Sequence, residues 1–181
     1  MLTADLPALE PLVPIPLQKG MESRVVVAAG ADSLTHPLVV QSLAAHAARG
    51  ERLGVLVGHN RLDVYGIARL VAEHGLDPAV ILARIELSRA FTCHQLHRRI
   101  ITLTERDAWR WSMLYVLGLL DTFYDEDVKY PEVSRLLVES LARLRQLAAA
   151  GLPVLVTASA PKEPGRERLL GLVAERADVY W

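Results

Sequence analysis

The sequence is short of several residue types, and each shortage excludes a class of protein. It has one cysteine, Cys93, so a framework of disulfide bonds is excluded. Its 20 lysines and arginines nearly cancel its 21 aspartates and glutamates, which leaves a formal net charge of −1. No overall positive charge is therefore available to hold nucleic acid or an anionic membrane. With 51% hydrophobic residues, the chain is too apolar to be disordered.

Long apolar runs are also absent. No stretch reaches the roughly 20 residues that a transmembrane helix requires. The first twenty residues contain four prolines instead of the continuous apolar segment of a signal peptide. We therefore expect a soluble, cytoplasmic protein that makes no membrane contact. Its 181 residues divide into a proline-rich lead-in over 1–19 and a single domain over 20–181.

Short apolar runs alternate with longer segments of helical period throughout this domain. The strand candidates cover residues 24–29, 53–57, 84–88, 114–120, 153–157 and 177–181. Two helices are clearest, over 63–74 and 131–149. Four of the strand candidates are almost entirely apolar, which is typical of parallel strands covered on both sides. The pattern predicts an α/β fold, a three-layer sandwich with a mostly parallel central sheet and helices on both faces.

The segment after the first strand keeps the spacing of a phosphate-binding loop without its chemistry. Such a loop reads Gly-x4-Gly-Lys-Ser/Thr, in which the lysine neutralises phosphate and the hydroxyl holds Mg²⁺. Here the segment is Gly30-Ala-Asp-Ser-Leu-Thr-His-Pro37, so Thr35, His36 and Pro37 occupy the three decisive positions. Proline offers neither a hydroxyl nor a backbone N–H. Taken alone, the segment indicates a strand–turn–helix connection that binds no ligand.

Several further segments follow one another in a recognisable order. Gly75-Leu-Asp-Pro78 precedes Arg84-Ile-Glu-Leu-Ser-Arg-Ala-Phe91, and Thr92-Cys-His-Gln95 comes directly after. This string resembles the RecA/RadA recombinase family, where a Gly-Leu-Asp-Pro turn leads to a strand ending in Ala-Arg-Ala-Phe and a His-Gln helix start. Tyr115-Val-Leu-Gly-Leu-Leu-Asp121 looks like that family's Walker B strand. The resemblance spans nearly the whole predicted domain and implies a RecA-like ATPase core with a degenerate Walker A motif.

The resemblance also implies a nucleotide site that has lost its chemistry. Its vestigial residues would be Gly30, Ser33, Thr35, His36, Asp121 and Thr157. The family's catalytic glutamate has no counterpart at 58–60, and Ala158 and Ser159 stand where the family carries Asn-Gln after the threonine. Phosphoryl transfer needs a charge clamp, a metal ion and a positioned water together. We therefore expect a pseudo-ATPase with no catalytic residues, no bound metal and no cofactor.

A place beside recombination and repair machinery follows from the same resemblance. We expect an accessory or regulatory role with a protein partner such as a recombinase, and homo-oligomerisation stays open. One alternative is a protein that binds nucleotide, as ATP with Mg²⁺, or single-stranded DNA, with little or no ATPase activity. Another is an inhibitor whose acidic segment 121–132, with a net charge of −4, acts on a basic partner.

Residues 84–110 carry the opposite charge, with six arginines against three acids. Arg89, Arg98 and Arg99 are the candidates for weak contact with nucleic-acid phosphates, and the tryptophans nearby could offer stacking faces. Mixed charge on a helix is more often only a solvated surface, with its aromatic residues in the core. A metal site is not expected at Cys93-His94-x-x-His97, because structural zinc takes four ligands and there is no second cysteine.

Overall fold

A computed structural model of the protein describes residues 24–30, 32–58, 62–161 and 164–180, giving the backbone alone for 32–34 and 108. These residues form a sheet of six strands in the order β3-β2-β4-β5-β1-β6, and every pairing is parallel. Helices cover both of its faces. The predicted three-layer α/β sandwich is therefore confirmed.

The chain alternates strands with one or two helices at a time. The strands are β1 (Val25–Ala29), β2 (Leu53–Val57), β3 (Ile85–Arg89), β4 (Met113–Leu117), β5 (Val154–Ala158) and β6 (Val179–Tyr180). The helices are α1 (Asp32–Ala48), α2 (Val64–Glu73), α3 (Pro78–Leu82), α4 (Cys93–Thr102), α5 (Glu105–Arg110), α6 (Tyr130–Ala149) and α7 (Glu167–Ala174). None of the helices in the described ranges is both long enough and apolar enough to cross a bilayer. The lead-in over 1–19 lies outside those ranges.

Each face of the sheet carries its own hydrophobic core. Helices α1, α2 and α3 pack on one face, and α4, α6 and α7 pack on the other. Successive residues of the central strands alternate between the two cores: Val25 and Val27 point to one side, and Val26 points to the other. Because both faces are covered, these strands have no need of polar residues, which explains their continuous apolar sequence.

The fourth strand is shorter than the sequence predicted. The apolar run over 114–120 indicated a strand ending on Asp121, but β4 ends at Leu117. The chain turns at Gly118, whose φ of 63° lies in the left-handed region that glycine adopts easily. Leu119 and Leu120 are fully buried after the turn, in the core that α4, α6 and α7 cover, so their apolar character comes from the core and not from strand pairing.

The contact between α4 and α6 explains the two histidines of the Cys-His-x-x-His segment. His97 is buried, and its Nδ1–H donates to the Leu136 carbonyl at 3.1 Å. His94 is exposed, and its Nε2 lies 2.9 Å from the Glu132 carboxylate. That hydrogen bond lowers the pKa of the Glu132 carboxyl. The two imidazoles therefore face different partners, and both serve the packing of these helices.

Candidate functional site

The carboxyl ends of β1, β4 and β5 meet at one edge of the sheet, and hydrogen bonds join them there. The Gly30 N–H donates to the Ala158 carbonyl at 3.1 Å, which ties the end of β1 to the end of β5. The Thr157 hydroxyl accepts the Gly118 N–H at 2.8 Å, which ties β5 to the turn after β4. Thr35 lies beside Gly30, because a Cβ placed on Gly30 would be 3.8 Å from its methyl group.

Two loops that the sequence did not connect complete this edge. The Ser159 hydroxyl donates to the Asp121 carboxylate at 3.2 Å, and the Tyr124 hydroxyl donates to the Ser159 carbonyl at 2.6 Å. Phe123 is fully buried between these polar residues and anchors the loop to the core. Gly30, Thr35, Asp121 and Thr157 are thus gathered with Ser159 and Tyr124 in what we call the carboxyl-edge site.

Burial decides the protonation of the tyrosine in this site. It raises the pKa of the Tyr124 phenol far above its ordinary value, and the charge of Asp121 adds to the effect. Tyr124 is therefore a neutral hydrogen-bond donor at physiological pH. The Ser159 hydroxyl has its own acceptor in Asp121. The hydrogen bonds of the site thus run from one protein group to the next.

The first helix begins at a position where a phosphate-binding loop would not yet have ended. Helix α1 starts at Asp32, two residues after Gly30, so Thr35, His36 and Pro37 lie within the helix. His36 lines a groove of about 270 Å³ between α1 and α2, together with Asp63, which caps α2, and residues of α2 itself. Neither Asp121 nor Thr157 lines that groove. The structure therefore places His36 apart from the hydrogen-bonded part of the carboxyl-edge site.

Some of the sequence-based expectations fall beyond the described part of the chain. The Ser33 backbone belongs to α1, and its side chain is outside the description. Residues 59–60, where a catalytic glutamate was looked for, are outside it as well. Gly58 itself is described, and a Cβ on it would lie 2.6 Å from the Gly118 carbonyl oxygen. The backbones after β2 and β4 therefore approach too closely for any side chain at that position.

The three arginines expected to contact nucleic acid are not grouped together. Arg89 is exposed at the end of β3, and Arg98 is exposed on α4. Arg99 lines a second groove, of about 340 Å³, between strands β2 and β3 and helices α4 and α5. Arg84, which contributed to the positive charge of residues 84–110, donates to the Ala47 carbonyl at the end of α1 and takes no part in that groove.

The acidic segment is held in a fixed position. Asp125, Glu126 and Asp127 are exposed, while the Arg166 guanidinium donates to the carbonyl oxygens of Asp125 and Val128, at 3.0 and 2.6 Å. Arg166 comes from the loop before α7, and these two hydrogen bonds attach that loop to the acidic segment. In the described part of the chain, no group of three or more His, Cys, Asp or Glu side chains is arranged to hold a metal ion.

Comparison of the chain with protein-family models and with curated proteins finds no match to either. The carboxyl-edge site must therefore be understood from its own geometry. Sequence order alone puts Asp121 and Thr157 near each other, because parallel strands end at the same edge. Tyr124 and Ser159 were missed as partners, since their hydrogen bond joins two loops with no shared sequence signal.

Proposed function

We propose that this chain is a non-catalytic RecA-like protein, a pseudo-ATPase that serves as an accessory or regulatory partner in DNA recombination or repair in the cytoplasm. The proposal takes its family from the sequence resemblance. The parallel α/β fold is compatible with a domain of the phosphate-binding-loop kind. The structural observation that supports the loss of catalysis is the mutual hydrogen bonding of the carboxyl-edge site.

Two polar groups that would have to serve a nucleotide have partners within the described part of the protein. The Thr157 hydroxyl accepts from the Gly118 backbone, and the Asp121 carboxylate accepts from Ser159. These hydrogen bonds compete with the water and Mg²⁺ that the same oxygens would bind in a nucleotide site. Pro37 at the position of the magnesium-binding hydroxyl supports the same conclusion.

The proposal is tested by ATP turnover. Phosphate release should be measured with Mg²⁺ and single-stranded DNA present, on the natural chain and on Asp121→Ala. We expect the two rates to be equal and at the background level of the assay. Turnover by the natural chain clearly above that of Asp121→Ala would overturn the pseudo-ATPase proposal.

A second pair of measurements separates the accessory role from simple nucleotide binding. If the chain bound ATP or ADP, its Tm would rise with nucleotide concentration, because a ligand of the folded state stabilises it by mass action. We expect no such rise. Instead, adding the chain to a recombinase from the same genome should change that enzyme's DNA-dependent ATPase rate. An unchanged rate over a range of stoichiometries would argue against the accessory role.

A further inference from the structure

Helix α5 presents an aromatic side chain that no part of the core explains. Trp109 is 83% exposed, although an indole ring is among the most apolar side chains in proteins. Arg106, one turn earlier on α5, and Arg110, the next residue, are both exposed beside it. An exposed aromatic ring flanked by guanidinium groups is the combination that binds the bases and phosphates of single strands.

The groove of about 340 Å³ is lined at one wall by Arg110, the residue after Trp109, and its charged lining residues are two arginines, Arg99 and Arg110, and two acids, Glu86 and Asp107. Its Glu86 carboxylate pairs with Arg110 and also with Arg52, the latter at 2.8 Å. Two guanidinium groups thus share one carboxylate, and with Arg52, which lies outside the lining, three arginines stand against two acids around the groove. Arg110 also lies over the ring of Trp111, 5.5 Å from its centroid, so its guanidinium is held in place at the wall of the groove.

The other carboxylate of the groove is also engaged. Asp107 accepts hydrogen bonds from the backbone N–H and the hydroxyl of Thr104, at 2.8 and 2.9 Å, in the capping box of α5. The Arg99 guanidinium, on the α4 side of the groove, has no hydrogen-bond or ion-pair partner among the residues that the structure describes. Ser88 on β3 adds a hydroxyl to the lining. The groove therefore offers an unpaired guanidinium and a hydroxyl to an incoming anion.

We propose that the groove and Trp109 together bind single-stranded nucleic acid. A phosphate lies in the groove between Arg99 and Arg110, and a neighbouring base stacks on Trp109. A volume of about 340 Å³ is within the range of small-ligand sites and matches one nucleotide rather than a folded protein segment. An acidic peptide would satisfy the arginines but would give the exposed ring no flat partner. This surface is formed by α4, α5, β2 and β3, so it does not depend on the carboxyl-edge site.

The test is a fluorescence-anisotropy titration of a labelled oligothymidine of about 20 nucleotides, at low and at physiological salt. The full chain should bind, and Trp109→Ala should raise Kd about fivefold or more, because a base loses its stacking partner. Trp109→Phe should restore most of the affinity. Arg99→Ala should reduce the slope of log K against log salt by about 0.7, the value for one phosphate contact on a single strand.

Matched controls come from α2, on the opposite face of the sheet. Tyr65 is 89% exposed, and Arg69 is exposed one turn later, so Tyr65→Ala and Arg69→Ala remove similar groups from a different surface. These variants should bind as the natural chain does. All four side chains are at the surface, so circular dichroism should show the same fold in each variant.

Three results would overturn the proposal. The first is absence of oligonucleotide binding at low salt. The second is an equal loss of affinity in the α2 controls. The third is binding of an abasic oligonucleotide or of polyglutamate as tight as that of oligothymidine, which would indicate a surface for anions in general. None of these results bears on ATP turnover, so failure here and failure of the pseudo-ATPase proposal can be told apart.

Discussion

At the scale of single residues, one hydrogen bond joins two hydroxyl groups that are buried in the interior of the protein and depend on each other. Tyr115 on β4 is fully buried, and its hydroxyl lies 2.8 Å from the Ser42 hydroxyl on α1. Ser42 is fully buried too, so neither group can turn to water when its partner is removed. An unpaired polar group in such a place costs more than the hydrogen bond itself contributes. The contact therefore fixes where α1 sits on the sheet.

Removing either hydroxyl should destabilise the fold. We expect Tyr115→Phe and Ser42→Ala each to lower the free energy of unfolding by about 1–3 kcal/mol, because each leaves a buried polar atom unpaired. The double variant should lose at least about 0.5 kcal/mol less stability than the two single losses added together, since it leaves no buried hydroxyl without a partner. Urea unfolding of the four proteins measures all three differences. Strict additivity would show that the two hydroxyls do not depend on each other.

At the scale of elements, glycine and tryptophan set how closely α5 and its following turn approach the sheet. Trp111 lies between α5 and β4, and its ring packs on Gly54 in β2. A Cβ on Gly54 would lie 2.5 Å from that ring, closer than any real contact. Trp111 can therefore cover β2 only because residue 54 has no side chain. The position of α5, which carries the proposed nucleic-acid surface, depends on this contact.

Two glycines give opposite expectations for the same substitution. Gly54→Ala should destabilise the protein by about 1–3 kcal/mol, because the added methyl group overpacks against Trp111. Gly171→Ala should leave stability unchanged or raise it by up to about 1 kcal/mol, since Gly171 lies within α7 and nothing is within 4 Å of its Cβ position. Thermal unfolding of both variants measures the difference. A Tm for Gly54→Ala equal to that of the natural chain would contradict the packing argument.

At the scale of the whole molecule, burial of tyrosine limits stability in alkali. Burial raises the pKa of the Tyr115 phenol, and the charge of Glu51 acts in the same direction. The folded protein therefore holds this proton more tightly than the unfolded chain does, whose tyrosines titrate near pH 10. The corresponding stability is present in full below about pH 10 and is lost as the pH rises above it.

We accordingly expect the free energy of unfolding to fall above about pH 10, by up to about 1.4 kcal/mol per pH unit from Tyr115 alone. Urea unfolding at a series of pH values checks this. Tyr115→Phe should be less stable at neutral pH but should lose stability less steeply in alkali. Parallel slopes for the two proteins would show that Tyr115 ionises equally easily in both states.

Much of the fold could be predicted from the sequence, because several apolar runs of strand length are buried together, as neighbouring strands of one covered sheet. The six strands and the layered architecture follow from that pattern, and β2 was placed with its observed ends. The end of β4 was not, since Leu119 and Leu120 are apolar for another reason, their burial in the core on the α4, α6 and α7 side of the sheet. The hydrophobic periodicity of the sequence indicates whether a residue is buried, but it does not indicate which element of the fold covers that residue.

The carboxyl-edge site and the proposed nucleic-acid surface could likewise be predicted only in part. The approach of Asp121 to Thr157 could be expected from strand order, whereas the bond between Tyr124 and Ser159 required two loops to meet. The positive segment 84–110 was visible as a count of charges. Which arginines act together was not, because Arg84 turns to α1 and Arg52 joins from another segment.

The sequence by itself determined the class of fold and the lack of a Lys-Ser/Thr pair after the first strand, because both depend on residue type along one stretch of chain. Only the tertiary structure decided which polar groups of the described residues are already engaged and that the Arg99 guanidinium is not. Engagement depends on distances between elements that the chain brings together from afar: Thr157 with Gly118, or Glu86 with two arginines. The sequence gives the chemical type of each side chain, but its neighbours in the fold decide whether that side chain is free to bind a ligand.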